Sequence, residues 1–154
     1  MAFLSSMSIV GSGLTAQQLR LDIIAENVTN ANTTRVENGD GPYRRKVVVF
    51  RAQSGRDDFR QAMARAYEGI APNEGYDTIG GVRVTEIIED PSDFKLSYDP
   101  THPDADERGY VELPNVDMVK EITDAMAATQ AYSANVTALN ALKTVISKGL
   151  EIGR

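Results

Sequence analysis

The stretch LTAQQLRLDIIAENVTNANTT, Leu14–Thr34, decides how the rest of the chain is read. Leu14, Leu21, Ile24 and Val28 recur at heptad-like spacings, and Phe3, Met7 and Val10 carry the pattern back towards the N-terminus. This is the seam of an amphipathic helix running from about Ala2 to Thr29, with Gln17 as its one polar interruption. Leu4, Ile9, Leu19 and Ile23 widen the apolar surface beyond a two-helix seam, so the helix is expected to have more than one partner. The segment Asn27-Val28-Thr29-Asn30-Ala31-Asn32-Thr33-Thr34 ends it, because Asn and Thr side chains compete for backbone hydrogen bonds. Gly11 and Gly13 leave two readings open. Either the helix starts near Gly13, or a second helix approaches closely there.

The other end of the chain answers in kind. Met118, Ile122, Ala125, Thr129, Tyr132, Val136, Leu139, Ile146 and Leu150 form a second long seam. Lys143 breaks it, and Leu142 and Val145 take over beside it, as expected when 3.6 residues per turn meets a heptad. No Pro or Gly interrupts from Val116 to Lys148. Pro114-Asn115 is predicted to open this helix, with Asn115 as N-cap and Asp117 and Glu121 near the positive end of its dipole. Helices on the order of 40 and 50 Å can lie side by side.

Between them the pattern changes. Glu37-Asn38-Gly39-Asp40-Gly41-Pro42 has the composition of a linker or turn. Tyr43–Arg51, the run from Val82 to Ile88, Phe94–Tyr98 and Tyr110–Leu113 are four strand candidates, enough for one small antiparallel sheet or sandwich-like unit. Asp57–Tyr67 could form a short helix within the least readable stretch. The predicted class is therefore α+β: paired long N- and C-terminal helices, coiled-coil-like, with an inserted small β-rich central domain. The boundaries are 1–30 for the first helix, 31–42 for the linker, 43–113 for the central domain and 114–154 for the last helix.

The composition narrows the chemistry. The net charge of −6 argues against a nucleic-acid partner, and Arg44, Arg45 and Lys46 read as an outward face of a strand. The absence of cysteine excludes disulfides, thiolate metal sites and cysteine nucleophiles. No apolar run approaches the ~20 residues of a membrane span, so no direct membrane insertion is expected. No Lys or Arg precedes Arg20, so the charged start of a secretory signal is missing. His102, between Pro100 and Pro103, is the only histidine and reads as solvated. Asp104, Asp106, Gly109 and Val111 fit positions 1, 3, 6 and 8 of a calcium loop, but Arg108 and Asn115 occupy positions where oxygen ligands belong. A calcium-binding module is thus a minor alternative. An enzyme is poorly supported, and no cofactor or catalytic residue is assigned.

These residues also carry a resemblance. Ser12-Gly13-Leu14-Thr15-Ala16-Gln17-Gln18, followed by Ile24-Ala25-Glu26-Asn27-Val28-Thr29-Asn30-Ala31-Asn32-Thr33, resembles the N-terminal signature of the bacterial flagellar axial proteins. Pro42-Tyr43-Arg44-Arg45-Lys46, Gly81–Ile87, Tyr98–Asp106, Pro114-Asn115-Val116 and Ala131–Val136 are similar to segments of the proximal basal-body rod proteins within that group. The resemblance implies a structural subunit of the flagellar basal-body rod, polymerising through its terminal helices into a torque-transmitting drive shaft. Another rod or hook-type subunit is the alternative. Implied partners are further copies, other rod subunits, rod adaptor and membrane-ring proteins at the base, and the flagellar type III export apparatus. The implied location is the periplasm-spanning rod, reached by export without a cleaved signal peptide. The residues expected at subunit interfaces are Leu14, Leu21, Ile24, Asn27, Val28, Asn30, Asn32, Ile122, Thr129, Tyr132, Asn135, Val136, Leu139 and Ile146.

Overall fold

A computed structural model describes residues 2–36, 41–53 and 80–152 of the chain. The elements are α1 (Ala2–Thr29), β1 (Lys46–Ala52), β2 (Val82–Glu89), β3 (Lys95–Tyr98), β4 (Tyr110–Leu113) and α2 (Met118–Ile152). The fold is α+β. The short helix expected at Asp57–Tyr67 and residues 37–40 of the linker lie outside the described residues.

The chain makes two compact units. One is drawn from Met1–Gln17, Phe50–Thr85 and Ala131–Arg154, the other from Gln18–Val49 and Glu86–Gln130. In the first unit α1 runs unbroken through Gly11 and Gly13. The close-approach reading holds at Gly13, where an added Cβ would stand 3.0 Å from the Asn135 Nδ2 of α2. Gly11 faces open space. Ser12 bends its hydroxyl back to the Ile9 carbonyl at 2.7 Å and accepts the Val82 N–H at 3.0 Å, tying the start of β2 to the helix.

In the second unit the end of α1 is sealed by its own amides. Asn30 donates from Nδ2 to the Glu26 carbonyl at 3.0 Å, and Thr33 donates to Asn30 Oδ1 at 3.1 Å. The Glu26 carbonyl thus accepts from both the backbone N–H and the side-chain amide of Asn30, each at 3.0 Å. Ile23 and Ile24 are buried on this half of α1, each contributing roughly 1.5–3 kcal/mol by leaving water. The start of α2 differs from the expectation. Its cap is Asp117, whose Oδ1 accepts the Val119 N–H at 3.0 Å while its carbonyl accepts the Glu121 N–H at 2.9 Å. Asn115 is engaged elsewhere, so it cannot cap.

That engagement also bears on the sheets. The four strands form two separate two-stranded sheets, β1–β2 and β3–β4. Asp90 N donates to the Arg45 carbonyl, and Gln53 N to the Gly81 carbonyl, so β1 and β2 run antiparallel. Past Asp90 the ladder stops, because the carbonyls of Asp90 and Ser92 accept from Asn115 Nδ2 at 3.0 and 3.2 Å instead of from another strand. The β3–β4 hairpin then pairs Leu96 with Glu112, Ser97 with Val111 and Tyr98 with Tyr110. Alternation turns Val111 inward, 2% exposed, and leaves Leu96 and Tyr98 outward at 67% and 66%.

The hairpin connection depends on Gly109, whose φ is +82° and whose Cβ position lies 3.1 Å from Tyr98 Cε2 and 3.2 Å from Pro100 Cβ. Gly109→Val is expected to lower the unfolding free energy by about 1–3 kcal/mol, from backbone strain together with this crowding. Urea denaturation of the purified chain checks it. An unchanged midpoint would mean that the loop adopts another conformation at no cost.

Candidate functional site

The second unit is organised around a buried polar node. Asn27 is 1% exposed and Glu121 is fully buried. A carboxamide can donate twice and accept twice, and Asn27 does all four. Its Oδ1 accepts the Tyr43 hydroxyl and the Lys46 N–H, both at 2.9 Å. Its Nδ2 donates to the Lys46 carbonyl at 2.9 Å and to Glu121 Oε2 at 3.1 Å. Towards Lys46 the side chain acts as a peptide group, taking the place of a neighbouring strand at the first residue of β1.

Arg45 completes the node. Its Nε donates to Glu121 Oε1 at 2.6 Å, and its terminal nitrogens reach Asp90 at 3.5 Å and Asp124 at 3.4 Å. Arg20 of α1 also reaches Asp124, at 3.3 Å. Burial on its own disfavours the guanidinium charge. The hydrogen bond that Arg45 donates to Glu121 and the charges of Glu121, Asp90 and Asp124 outweigh that, so the Arg45 pKa stands above its ordinary value. The backbone N–H of Arg45 donates to Asn115 Oδ1 at 2.8 Å. Two asparagines from two different elements thus hold consecutive residues at the entry to β1.

The reading of Arg44, Arg45 and Lys46 as one outward face needs correction. Arg45, just before β1, points inward, its side chain 11% exposed, where the buried Glu121 accepts its Nε–H. Arg44 lies over the Phe94 ring at 4.3 Å, and Lys46 pairs with Glu26. The calcium reading is overturned as well. Asp104 is taken by the Thr34 hydroxyl at 2.9 Å and by Arg35 at 2.6 Å. Asp106 Oδ1 accepts the backbone N–H groups of Arg108 and Tyr110, bracing the hairpin loop. His102 accepts the Asp104 N–H on Nδ1 at 3.1 Å, so it too serves the loop. Among the described residues no three His, Cys, Asp or Glu side chains gather to hold a metal, and no helix is long and apolar enough to cross a membrane.

The residues expected at subunit interfaces fall into three groups. Asn27 is engaged wholly inside its own chain, and Asn30 caps α1. Leu14, Leu21, Val28, Tyr132, Asn135, Val136, Leu139 and Ile146 are half-buried, and Ile24 is buried. Asn32, Ile122 and Thr129 face solvent. The start of α2 therefore runs out of phase with the predicted seam. Its inward face carries Glu121 and Ala128, while Met118, Val119, Ile122 and Met126 lie on the opposite side, 43%, 74%, 54% and 69% exposed. Periodicity found the stripe but not its direction. Tyr43, Arg45, Asp90, Asn115 and Glu121 went unnoticed as a group. The available signal was a carboxylate, Glu121, one helical repeat from the small Ala128.

Residues 7–35 match the family described as flagella basal body rod protein, and residues 107–152 match the flagellar basal body rod FlgEFG protein C-terminal family. The first match takes in Asn27 and the second Glu121, the two fully satisfied members of the node. The flagellar basal-body rod protein FlgC of Bacillus subtilis is 45% identical over 152 residues, covering 97% of both chains. That of Borreliella burgdorferi is 40% identical over 99% of this chain and 98% of its own. That of Escherichia coli is 40% identical over the full length of both. The chain belongs to the FlgC family of flagellar basal-body rod proteins. Membership in this family makes the protein a structural rod subunit, and the node is part of its architecture.

Two expectations follow from the node. Asn27→Ala strands the Lys46 N–H and carbonyl and the Tyr43 hydroxyl, and should cost about 2–5 kcal/mol in chemical denaturation. A loss under about 1 kcal/mol would mean that water replaces the amide. Tyr43 is the second case. Burial first, then the charges of Glu26, Glu121 and Glu89, hold its pKa above the ordinary value near 10. The protonated phenol is favoured in the folded chain, so its contribution is full below about pH 10 and is lost as pH rises beyond that, when the unfolded chain ionises first. Stability measured from pH 8 upward should fall in the wild type, and Tyr43→Phe should flatten that branch.

Proposed function

We propose that this chain is a rod subunit that polymerises through the outward faces of its terminal helices into the drive shaft that transmits flagellar torque. It sits in the flagellar basal body and assembles with other rod components. The observation that carries the reading is the exposed apolar stripe of α2, Met118, Val119, Ile122 and Met126, lying opposite the face that holds Glu121 and Ala128. Contiguous exposed apolar surface on a soluble chain marks an interaction site.

In this reading residues 1–30 and 114–154 form a coiled-coil-like helical core domain, 31–42 a linker and 43–113 a central domain on the outside. Leu14, Leu21, Val28, Tyr132, Val136, Leu139 and Ile146 pack within and between copies. Neighbours at the base are the rod adaptor and membrane-ring proteins. The chain reaches the periplasm through the type III export apparatus without a cleaved signal. Its role is mechanical, not catalytic, and it takes no cofactor.

Leu21→Asp tests the assembly role of α1, where a half-buried leucine becomes a charge on the seam. The expected result is loss of this chain from purified hook–basal bodies, and non-motile cells, with the protein still produced. Normal rods containing the variant would refute polymerisation through this helix.

A further inference from the structure

The chain has five methionines and neither cysteine nor tryptophan, so its thioethers are the side chains most open to a two-electron oxidant. Met7, on α1, is half-buried. Met118 and Met126, on α2, are 43% and 69% exposed. Met118, Ile122 and Met126 follow one another at intervals of four, so they stand in one row along the helix. Both exposed thioethers therefore belong to the apolar stripe, one on each side of Ile122. The node keeps them there. Glu121, on the inner side of α2, accepts from Arg45 Nε at 2.6 Å and from Asn27 Nδ2 at 3.1 Å. Turning the helix to bury either sulfur would pull that carboxylate out of its buried contacts.

We propose that Met118 and Met126 are modification sites, oxidised to the sulfoxide by hydroperoxides in the unassembled chain, and that this converts the α2 stripe from an assembling to a non-assembling surface. The inference rests on the rod reading and adds a control to it. In the step, the thioether sulfur attacks hydrogen peroxide. An S–O bond forms, the O–O bond breaks and sulfur loses two electrons. The transferred oxygen passes its proton to the departing hydroxide, which leaves as water. A flexible apolar side chain thereby becomes a polar one with an acceptor oxygen. On the exposed stripe that oxygen is hydrated, so the fold is undisturbed. In a subunit contact it loses its water, and an unmet acceptor there weakens the contact. Oxidation at these two positions thus spares folding and blocks assembly, which sets it apart from general oxidative damage.

The sites are tested on the purified chain, treated with hydrogen peroxide, digested and read by peptide mass spectrometry. Met118 and Met126 should gain oxygen at least about threefold faster than Met7, following their exposure. The urea midpoint, read before Met7 reacts, should equal that of the untreated chain. Met7 reacting as fast as Met126, or a lowered midpoint, would overturn the assignment.

The consequence is tested in cells with two double variants, both built from good helix formers. Met118→Gln with Met126→Gln puts a polar side chain at each site and should lower the chain recovered in purified hook–basal bodies about tenfold. Met118→Leu with Met126→Leu keeps the stripe apolar and removes the sulfur. It should assemble at the wild-type level, and peroxide given while new rods form should lower recovery of the wild type more than of this variant. Wild-type recovery of the glutamine variant, failure of the leucine variant, or equal peroxide sensitivity of leucine variant and wild type would overturn the switch and leave the rod reading intact. Motile cells whose basal bodies lack the wild-type chain would overturn both.

Discussion

The Arg45–Glu121 contact, with Asn27 against it, is the constraint on which the second unit depends. Glu121 has no exposed surface, so its charge must be answered by protein groups. Arg45 answers one oxygen and Asn27 the other. These three side chains come from α1, the entry to β1 and α2. No two of those elements can shift against each other without stranding a buried polar atom. The node therefore fixes register in a way that apolar contacts, which are non-directional, do not.

The same constraint explains why the strands are split into two sheets. Asn27 occupies the hydrogen-bonding edge of Lys46, and Asn115 occupies the Arg45 N–H and the carbonyls beyond β2. Side-chain amides replace strand neighbours at both places. A continuous four-stranded sheet would need those groups back. The hairpin is braced from outside by Thr34 and Arg35 on Asp104, and from within by Asp106, Asp99 and the left-handed Gly109. Thr101 bonds to the Asp99 carboxylate from both its amide and its hydroxyl, and these hydrogen bonds hold that group below its ordinary pKa.

Much of this was legible from the residues. Both helices and all four strands followed from periodicity, because a 3.6-residue pattern and β-branched runs are local signals. The cap was misread because Asn115 and Asp117 are both good N-caps, and only the tertiary demand on Asn115 decides between them. The inward turn of Arg45 was misread because three adjacent basic residues look alike in sequence, while their partners, Phe94, Glu121 and Glu26, lie far along the chain. At the amide-rich end of α1, Asn30 closes local hydrogen bonds, while Asn27 pairs with Lys46, Tyr43 and Glu121 over long sequence separations that no local pattern records. The direction of the α2 stripe was lost for the same reason. A heptad reading assumes that the apolar side faces inward, and at Glu121 the chain inverts that rule.

The inversion has a physical logic. A subunit that builds a polymer must keep apolar surface for its neighbours, yet fold to one register before it meets them. If α1 and α2 were aligned only by apolar seams, the stripe of Val119, Ile122 and Met126 would compete to fill the intramolecular contact. Placing a buried carboxylate, Glu121, on the inner face removes that competition. Rotating α2 to bring the stripe inward would expel Glu121 from its only partners and leave Arg45 buried without its anion, a penalty of several kcal/mol. The polar node thus holds the apolar stripe outward, and the side of α2 left exposed is set by a buried charge pair.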